Sequence, residues 1–209
     1  MAWTQKSHGW DHKRLPGPDP FQHWYRDNQV YFITARCRDG FPTFASDAAK
    51  AVFWDRFVHY TAMHQFQPRV ATLMNNHYHV VGYCTVGADL RHLMRKLHGS
   101  VAKLVNDELE PTAGRRVPFW RGEDGHDYFD GCLRDEKQYA RAYRYTLNQA
   151  VRARIPGMRQ WRDYPHTRVY IEMETGLEFA RERRAFLYGV PYRRYSKRDH
   201  ESSNEGQGT

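Results

Sequence analysis

Two histidines separated by a single residue, His77 and His79, are the side chains whose types and spacing first suggest chemistry. They lie in the run VATLMNNHYHVVGYC, between apolar stretches that favour β-strands. Residues i and i+2 of a strand project from one face, so both imidazoles point to one side and Tyr78 to the other. Two neutral imidazoles can bind one metal ion. The alternative is that they form hydrogen bonds in a core, and two ligands do not complete a metal site.

A helix predicted over residues 136–154, EKQYARAYRYTLNQAVRAR, carries the remaining candidates for chemistry. Tyr145 and Gln149 are four residues apart, which places them on one helix face. A tyrosine hydroxyl can act as a nucleophile, and an amide oxygen can bind a metal ion. Without the histidines this pair carries almost no signal, because Tyr139 and Tyr143 compete for any catalytic role and glutamine is a common helix former.

The strands and helices that must position these residues predict an α+β fold. The pattern predicts strands over residues 29–37, 68–74, 78–84 and 128–134. Helices are predicted after caps at Ser46, Asp89 and Asp135, with Pro111 ending the second. The order β-α-β-β-α-β is ferredoxin-like, an antiparallel sheet with helices on one face, to which a C-terminal catalytic helix is added.

The sequence divides into three parts. Residues 1–28 form a polar, irregular lead-in, and residues 29–157 form the domain. Residues 158–209 form a basic C-terminal extension, with a strand in TRVYIEM and a short helix in GLEFARERRAFLYG. Its last segment, RDHESSNEGQGT, is predicted to be disordered.

The charge and composition of the chain point to nucleic acid. The 209 residues carry a formal net charge of +8, and 15% of them are aromatic. Lysine and arginine neutralise phosphates and aromatic rings stack on bases, so this combination favours a nucleic-acid partner. The alternative is a basic protein without such a partner.

The cysteines and the apolar segments bear on the compartment. Cys37, Cys84 and Cys132 are odd in number and widely spaced, which argues against a disulfide framework or a zinc ribbon and predicts a reducing cytoplasm. The N-terminus has no apolar segment typical of a signal peptide, and no run is long enough to span a membrane. We therefore expect a cytoplasmic, nucleoid-associated protein without a membrane partner.

The segment LMNNHYHVV resembles the Met-Pro-Asn-His-x-His signature of HUH single-tyrosine transposases, especially the REP-associated tyrosine transposases. The segments LRHLMRKLHGSVAKLVN, FW and YFDGCLRDEKQYARAYRYTLNQAVRARI follow in the order of that family, so the resemblance covers about residues 29–157. Asn75 stands where the family has proline, which changes only a turn. Gln149-Ala150 stands where relatives read Asn-Pro, and the loss of the proline predicts a more regular helix.

The resemblance implies that His77, His79 and Gln149 bind a metal ion and that Tyr145 is the nucleophile. It implies a metal-dependent single-strand DNA endonuclease and strand transferase that cleaves single-stranded or hairpin DNA through a 5′-phosphotyrosine intermediate. Three neutral nitrogen and oxygen ligands suit Mg²⁺ or Mn²⁺. Relatives include monomers and homodimers, and both states stay open for this chain.

Several basic and aromatic residues are candidates for DNA contact. They lie on the second predicted helix, in the loop TAGRRVPFWRGEDGHD and after the catalytic helix: Arg95, Lys96, Arg115, Arg116, Trp120, Arg121, Arg152 and Arg154. The tail adds Arg193, Arg194, Lys197 and Arg198. The alternatives are a solvated helix face, a loop built around a buried tryptophan, and a tail made soluble by its charge.

Two other functions compete with the transposase. One is a non-catalytic single-stranded nucleic-acid-binding protein on the same fold. The other is a structural zinc protein that uses the histidines and cysteines, which no Cys-x₂-Cys spacing supports.

Overall fold

The computed structural model describes residues 25–122 and 127–189 of the chain. Five strands run through these residues: β1 (Gln29–Arg36), β2 (Phe66–Leu73), β3 (His77–Cys84), β4 (Phe129–Leu133) and β5 (Thr167–Val169). The helices are α1 (Asp47–Met63), α2 (Gly87–Ala113), α3 (Glu136–Leu147), the short α4 (Gln149–Arg152) and α5 (Met173–Tyr188). Most of the predicted lead-in and the whole segment predicted to be disordered lie outside the described residues, as do Arg193, Arg194, Lys197 and Arg198.

The strands form one sheet in the order β4-β1-β3-β2-β5, and every neighbouring pair is antiparallel. The first four strands have the order of a ferredoxin-like βαββαβ unit, with α1 joining β1 to β2 and α2 joining β3 to β4. The predicted α+β fold is confirmed. Strand β3 lies inside the sheet, paired with β1 and β2 along its length, so it is held in register from both sides.

Helices cover both faces of the sheet, which corrects the prediction that they cover one. On one face α1 and α2 pack over Tyr78 and Val80. On the other, α3 and α5 pack over Val81 and Tyr83. Successive residues of β3 point to opposite faces, and the apolar run from Val80 onward leaves both faces to be covered. The helices of the other face come from residues after 135.

The described part of the predicted C-terminal extension joins this fold. Strand β5 pairs with β2 at the sheet edge, where Thr167 lies opposite Thr72. Helix α5 packs beside α3, and Arg181 forms an ion pair with Glu136 at 2.6 Å between Nε and Oε1. Within the described residues, no helix is both long and apolar enough to cross a membrane.

The predicted helix ends agree with the structure in part. Ser46 caps α1 by accepting a hydrogen bond from the Ala49 amide, and Asp135 caps α3 in the same way. The predictions for α2 were wrong at both ends. The helix begins at Gly87, whose amide donates to the Asp27 carboxylate at 2.8 Å, and it continues two residues past Pro111. A side chain distant in sequence caps α2, so no local signal marked its start.

Two helical glycines provide a test of the packing between α3 and α5. A Cβ built on Gly176, in the first turn of α5, would lie 2.1 Å from the Tyr139 hydroxyl, whereas one on Gly99 in α2 would meet no atom within 4 Å. We expect Gly176→Ala to lower the free energy of unfolding by about 1–3 kcal/mol. We expect Gly99→Ala to raise it by about 0.5–1 kcal/mol, because alanine is the better helix former. Chemical denaturation measures both, and equal effects would contradict the packing.

Candidate active site

His77 and His79 project from the same face of β3, toward α3. Their ring centroids are 5.0 Å apart, whereas Tyr78 points into the core on the opposite face. His79 is only 5% exposed and stacks on Phe32 with a centroid distance of 5.7 Å. The sequence placed the two imidazoles on one side, and the structure confirms that geometry.

The hydrogen bonds of His77 determine which of its ring nitrogens is unprotonated. Asn76 Nδ2 donates to the Gly40 carbonyl at 2.9 Å, so its Oδ1 is the atom that faces His77 Nδ1 at 2.7 Å. An amide oxygen can only accept, so His77 Nδ1 carries the proton and donates. The lone pair is therefore on Nε2, which is the arrangement found in metal-binding histidines.

His79 has a similar partner on the neighbouring strand. Thr34 lies opposite it in the β1–β3 pairing, and Thr34 Oγ1 lies 2.6 Å from His79 Nδ1. The Thr34 hydroxyl can accept a hydrogen bond from Nδ1–H, and in that tautomer the lone pair on Nε2 is free to bind a ligand. The sequence analysis missed Thr34 and Asn76 as partners, although Thr34 shares a face of β1 with Phe32.

The surroundings keep both imidazoles neutral. Burial, with a smaller contribution from the Arg36 charge, lowers the pKa of His77 to about 4, although a hydrogen bond with the Gln149 side chain partly offsets these effects. Burial also holds the pKa of His79 well below its ordinary value, with contributions from His77 and Arg36. Neutral imidazole is the form that binds a metal ion, so the site needs no deprotonation at neutral pH.

Tyr145 lies directly beside this pair. Its ring is 5.1 Å from the His79 ring and 5.9 Å from Phe32, in edge-to-face contacts. A hydrogen bond from Thr72, which lies opposite His79 on β2, to the Thr146 carbonyl at 2.7 Å anchors this end of α3. Two threonines that flank His79 therefore position both the imidazole and the helix that carries the tyrosine.

The other two tyrosines of α3 pack in the core, away from the histidines. Tyr139 and Tyr143 stack on each other at 6.0 Å and are buried in the core between the sheet and α5. The Tyr143 hydroxyl donates to the Ile171 carbonyl at 2.9 Å. Burial raises the pKa of both hydroxyls. Neither tyrosine faces the histidines, so only Tyr145 of these three has its ring at the site.

Gln149 reaches the site across a break in the predicted helix. Helix α3 ends at Leu147, and Asn148 has φ −99° and ψ 19° before α4 begins, so the expected regular helix over 136–154 is wrong. The Asn148 backbone amide and side chain both donate to the Arg144 carbonyl, at 3.1 Å and 2.9 Å. Gln149 is buried, and its Nε2 donates to the Tyr145 carbonyl at 2.9 Å.

The donor set fits a divalent ion held by two histidines and one amide. Gln149 Nε2 donates to the Tyr145 carbonyl, so the Gln149 amide oxygen is the atom that faces His77. Within residues 25–122 and 127–189, no three side chains among His, Cys, Asp and Glu converge to hold a metal ion. Cys37 and Cys84 are buried in the core on the opposite face of the sheet, so the sheet separates these two thiols from His77 and His79.

Comparison with solved structures gives the fold a precedent. The chain superposes on a solved structure of a REP-associated tyrosine transposase bound to a REP hairpin. The TM-score is 0.59 and the sequence identity 13%, over 75% of this chain and 86% of that chain. The fold is that of a REP-associated tyrosine transposase. No protein-family model and no curated protein matches the sequence.

On this transposase fold, a row of basic side chains borders the histidines. Arg36 lies opposite His77 in the β1–β3 pairing and is exposed. The Arg121 amide donates to the Arg36 carbonyl at 2.7 Å, and Trp120 next to it bridges to Cys37. Since Trp120 points into the core, alternation places Arg121 on the face of Arg36 and His77. The sequence analysis named Arg121 as a candidate DNA contact and did not name Arg36.

The other predicted DNA contacts are divided between different parts of the transposase fold. Arg152 lies over the Tyr145 ring, with its guanidinium carbon 5.1 Å from the ring centroid. Arg154 is exposed beyond α4, at a φ of 54°. Arg95 and Lys96 are exposed on α2, which packs on the opposite face of the sheet from His79.

Side chains of the predicted basic loop contact other residues of the protein. Arg115 forms an ion pair with Asp107 at 2.9 Å, and Arg116 lies 3.6 Å over the Phe41 ring. Trp120 was predicted as a surface on which bases stack, and the structure corrects this. It is 6% exposed and stacks on His98 at 4.2 Å, so no base can reach its face.

The buried neutral histidines predict an acid-sensitive fold. His77 is protonated below about pH 6.5 in the unfolded chain but only below about pH 4 in the folded chain. Stability is therefore lost as the pH falls through this window, at up to about 1.4 kcal/mol per pH unit for this residue. We expect His77→Gln to show a shallower decline of unfolding free energy between pH 6.5 and 4 in metal-free buffer. Parallel declines would contradict the buried neutral form.

Proposed function

We propose that this protein is a metal-dependent single-strand DNA endonuclease and strand transferase with Tyr145 as its nucleophile. The observation that carries the proposal is the placement of the Tyr145 ring 5.1 Å from His79, on the face that also carries His77 and Gln149. A nucleophile beside neutral metal-ligand side chains, on a transposase fold, suits the cleavage of a phosphodiester. The solved neighbour binds a REP hairpin, which favours hairpin or single-stranded DNA as the partner here.

His77, His79 and Gln149 would hold Mg²⁺ or Mn²⁺. When bound, such an ion polarises the scissile phosphate and stabilises the negative charge that develops as the 3′ oxygen leaves. Three neutral ligands leave the charge of the ion uncompensated, so DNA phosphate completes the electrostatic balance. Arg36, beside the histidines, would contribute a further positive charge to the same phosphate.

In the proposed reaction, Tyr145 Oη attacks the phosphorus atom and the bond from phosphorus to the 3′ oxygen breaks. The phenolic proton passes overall to the 3′ oxygen, which leaves a 5′-phosphotyrosine and a free 3′ hydroxyl. One phosphoester replaces another, so a second 3′ hydroxyl can attack the phosphotyrosine and rejoin the strands without a nucleotide cofactor. The Arg152 guanidinium over the tyrosine ring would stabilise the negative charge that forms on the phenol oxygen.

Replacement of the nucleophile tests the proposal directly. We expect Tyr145→Phe to abolish the covalent protein–DNA adduct on a labelled hairpin oligonucleotide with Mn²⁺, because only the attacking hydroxyl is lost. The matched control is Tyr143→Phe on the same helix. It removes the hydrogen bond to Ile171, at a cost of roughly 1 kcal/mol in stability, and should retain cleavage.

Gel electrophoresis under denaturing conditions separates the outcomes. An adduct that persists in Tyr145→Phe would overturn the assignment of the nucleophile. A wild-type protein that binds the hairpin tightly but forms no adduct with Mn²⁺ would leave the alternative, a non-catalytic single-stranded nucleic-acid-binding protein.

Salt dependence tests the role of Arg36 in DNA binding. For single strands, log K falls with log salt at a slope of about −0.7 for each phosphate neutralised. We expect Arg36→Gln to make the slope for a 12-nucleotide single strand shallower by about 0.7, with the fold intact because the side chain is exposed. Fluorescence anisotropy at several salt concentrations measures it. An unchanged slope would remove Arg36 from the DNA contact surface.

A further inference from the structure

A groove of about 640 Å³ opens on the side of the molecule where α2 lies. Its position is distinct from the Tyr145 site, because Trp120 and His98 in its wall belong to the core on the other face of the sheet from His79. The side chains and backbone that give the groove its chemistry are Tyr25, Arg91, Arg95, Gly99 and Tyr128. The lining also contains the Asp127 carboxylate, which is bound to His98 Nδ1.

Two cations on α2 line the groove. Arg91 and Arg95 are one helical turn apart, so their side chains are neighbours on one helix face. Both are exposed, and neither forms an ion pair with any residue that the structure describes. Two adjacent guanidinium groups without an acidic partner favour an anion with several oxygens, of which phosphate is the best match.

The next turn of the same helix presents a glycine to the groove. Gly99 follows Arg95 by four residues and is exposed in the middle of α2, where glycine is less favourable than alanine by about 0.5–1 kcal/mol. A Cβ at this position would meet no atom within 4 Å, so packing within the protein gives no reason for the missing side chain. The open space beside the two arginines is available to a ligand that approaches the helix backbone.

Aromatic residues form the remaining wall, and the network behind them is rigid. The Tyr25 and Tyr128 hydroxyls are 3.3 Å apart. His98 Nε2 lies 2.7 Å from the Tyr78 hydroxyl, and its Nδ1 lies 2.5 Å from the Asp127 carboxylate. A wall of tyrosine rings beside paired arginines combines a surface for stacking a planar ring with a site for its phosphate.

We propose that this groove binds an unpaired nucleotide of a DNA strand, with its phosphate on Arg91 and Arg95 and its base on the tyrosines above Gly99. The volume suits one nucleotide with room for an adjoining phosphate, since pockets for small ligands begin at about 300 Å³. The net charge of +8 favours a strand over a free nucleotide, because a strand presents several phosphates to a basic surface. The groove is a second DNA site, and its binding does not depend on the chemistry of Tyr145.

The experiment uses the full chain with Tyr145→Phe, so that binding is measured without covalent capture. The probe is a fluorescein-labelled dT12 oligonucleotide, and anisotropy gives its Kd. Arg91→Gln and Arg95→Gln should each weaken binding roughly tenfold, since each removes a charge-assisted contact to phosphate. Lys103→Gln is the matched control, because Lys103 is exposed on the same helix and does not line the groove, so its loss should change Kd less than about twofold.

Gly99→Ala separates a role in binding from a role in folding. The same substitution that should stabilise the protein should weaken dT12 binding about threefold or more, because the methyl group enters the space of the ligand. Crosslinking with a dodecamer that carries 5-iododeoxyuridine locates the base, and we expect the adduct on Tyr25 or Tyr128.

The outcomes separate this proposal from the proposed function. Kd values for Arg91→Gln and Arg95→Gln equal to that of Lys103→Gln would overturn the groove site. Crosslinks confined to α3 and α4, or equal competition by a blunt 12-base-pair duplex, would overturn it as well. Covalent adduct formation by the protein with Tyr145 restored is scored independently. Its absence would overturn the cleavage proposal and leave the groove measurements unaffected.

Discussion

The register of β3 is the constraint on which the rest of the molecule depends. Alternation along this strand sends His77 and His79 to one face and Tyr78 to the other, so a single register determines both the candidate site and the opposite core. Pairing with β1 and β2 on either side holds that register. The same pairing brings Thr34 to His79 and Thr72 to the end of α3, which aligns Tyr145 with the imidazoles.

Burial on the α3 side gives the histidines their chemical character. An imidazole in water is partly protonated near neutral pH, whereas here burial and the neighbouring Arg36 charge lower both pKa values. The site thus combines neutral ligands with cations at its edge, and it has no carboxylate among its proposed ligands. Such a site binds a metal ion weakly by itself and more strongly together with a phosphate, so metal and DNA are expected to bind cooperatively.

The sequence predicted the parts of this structure that depend on local periodicity. The first four strands to within two residues of their ends, the shared face of His77 and His79, and the caps at Ser46 and Asp135 follow from spacing and residue type. Sequence reasoning failed where contacts between distant residues decide the structure. Asp27 caps α2 from outside the helix, and Trp120 finds its place against His98 in the core.

The sharing of β3 between core and site also limits how this protein can change over evolutionary time. An insertion or deletion of one residue in the Asn75-Asn76 turn would exchange the two faces of β3, so the histidines and the core tyrosine would be lost together. Loss of chemistry with retention of the fold therefore requires point substitution of the functional side chains.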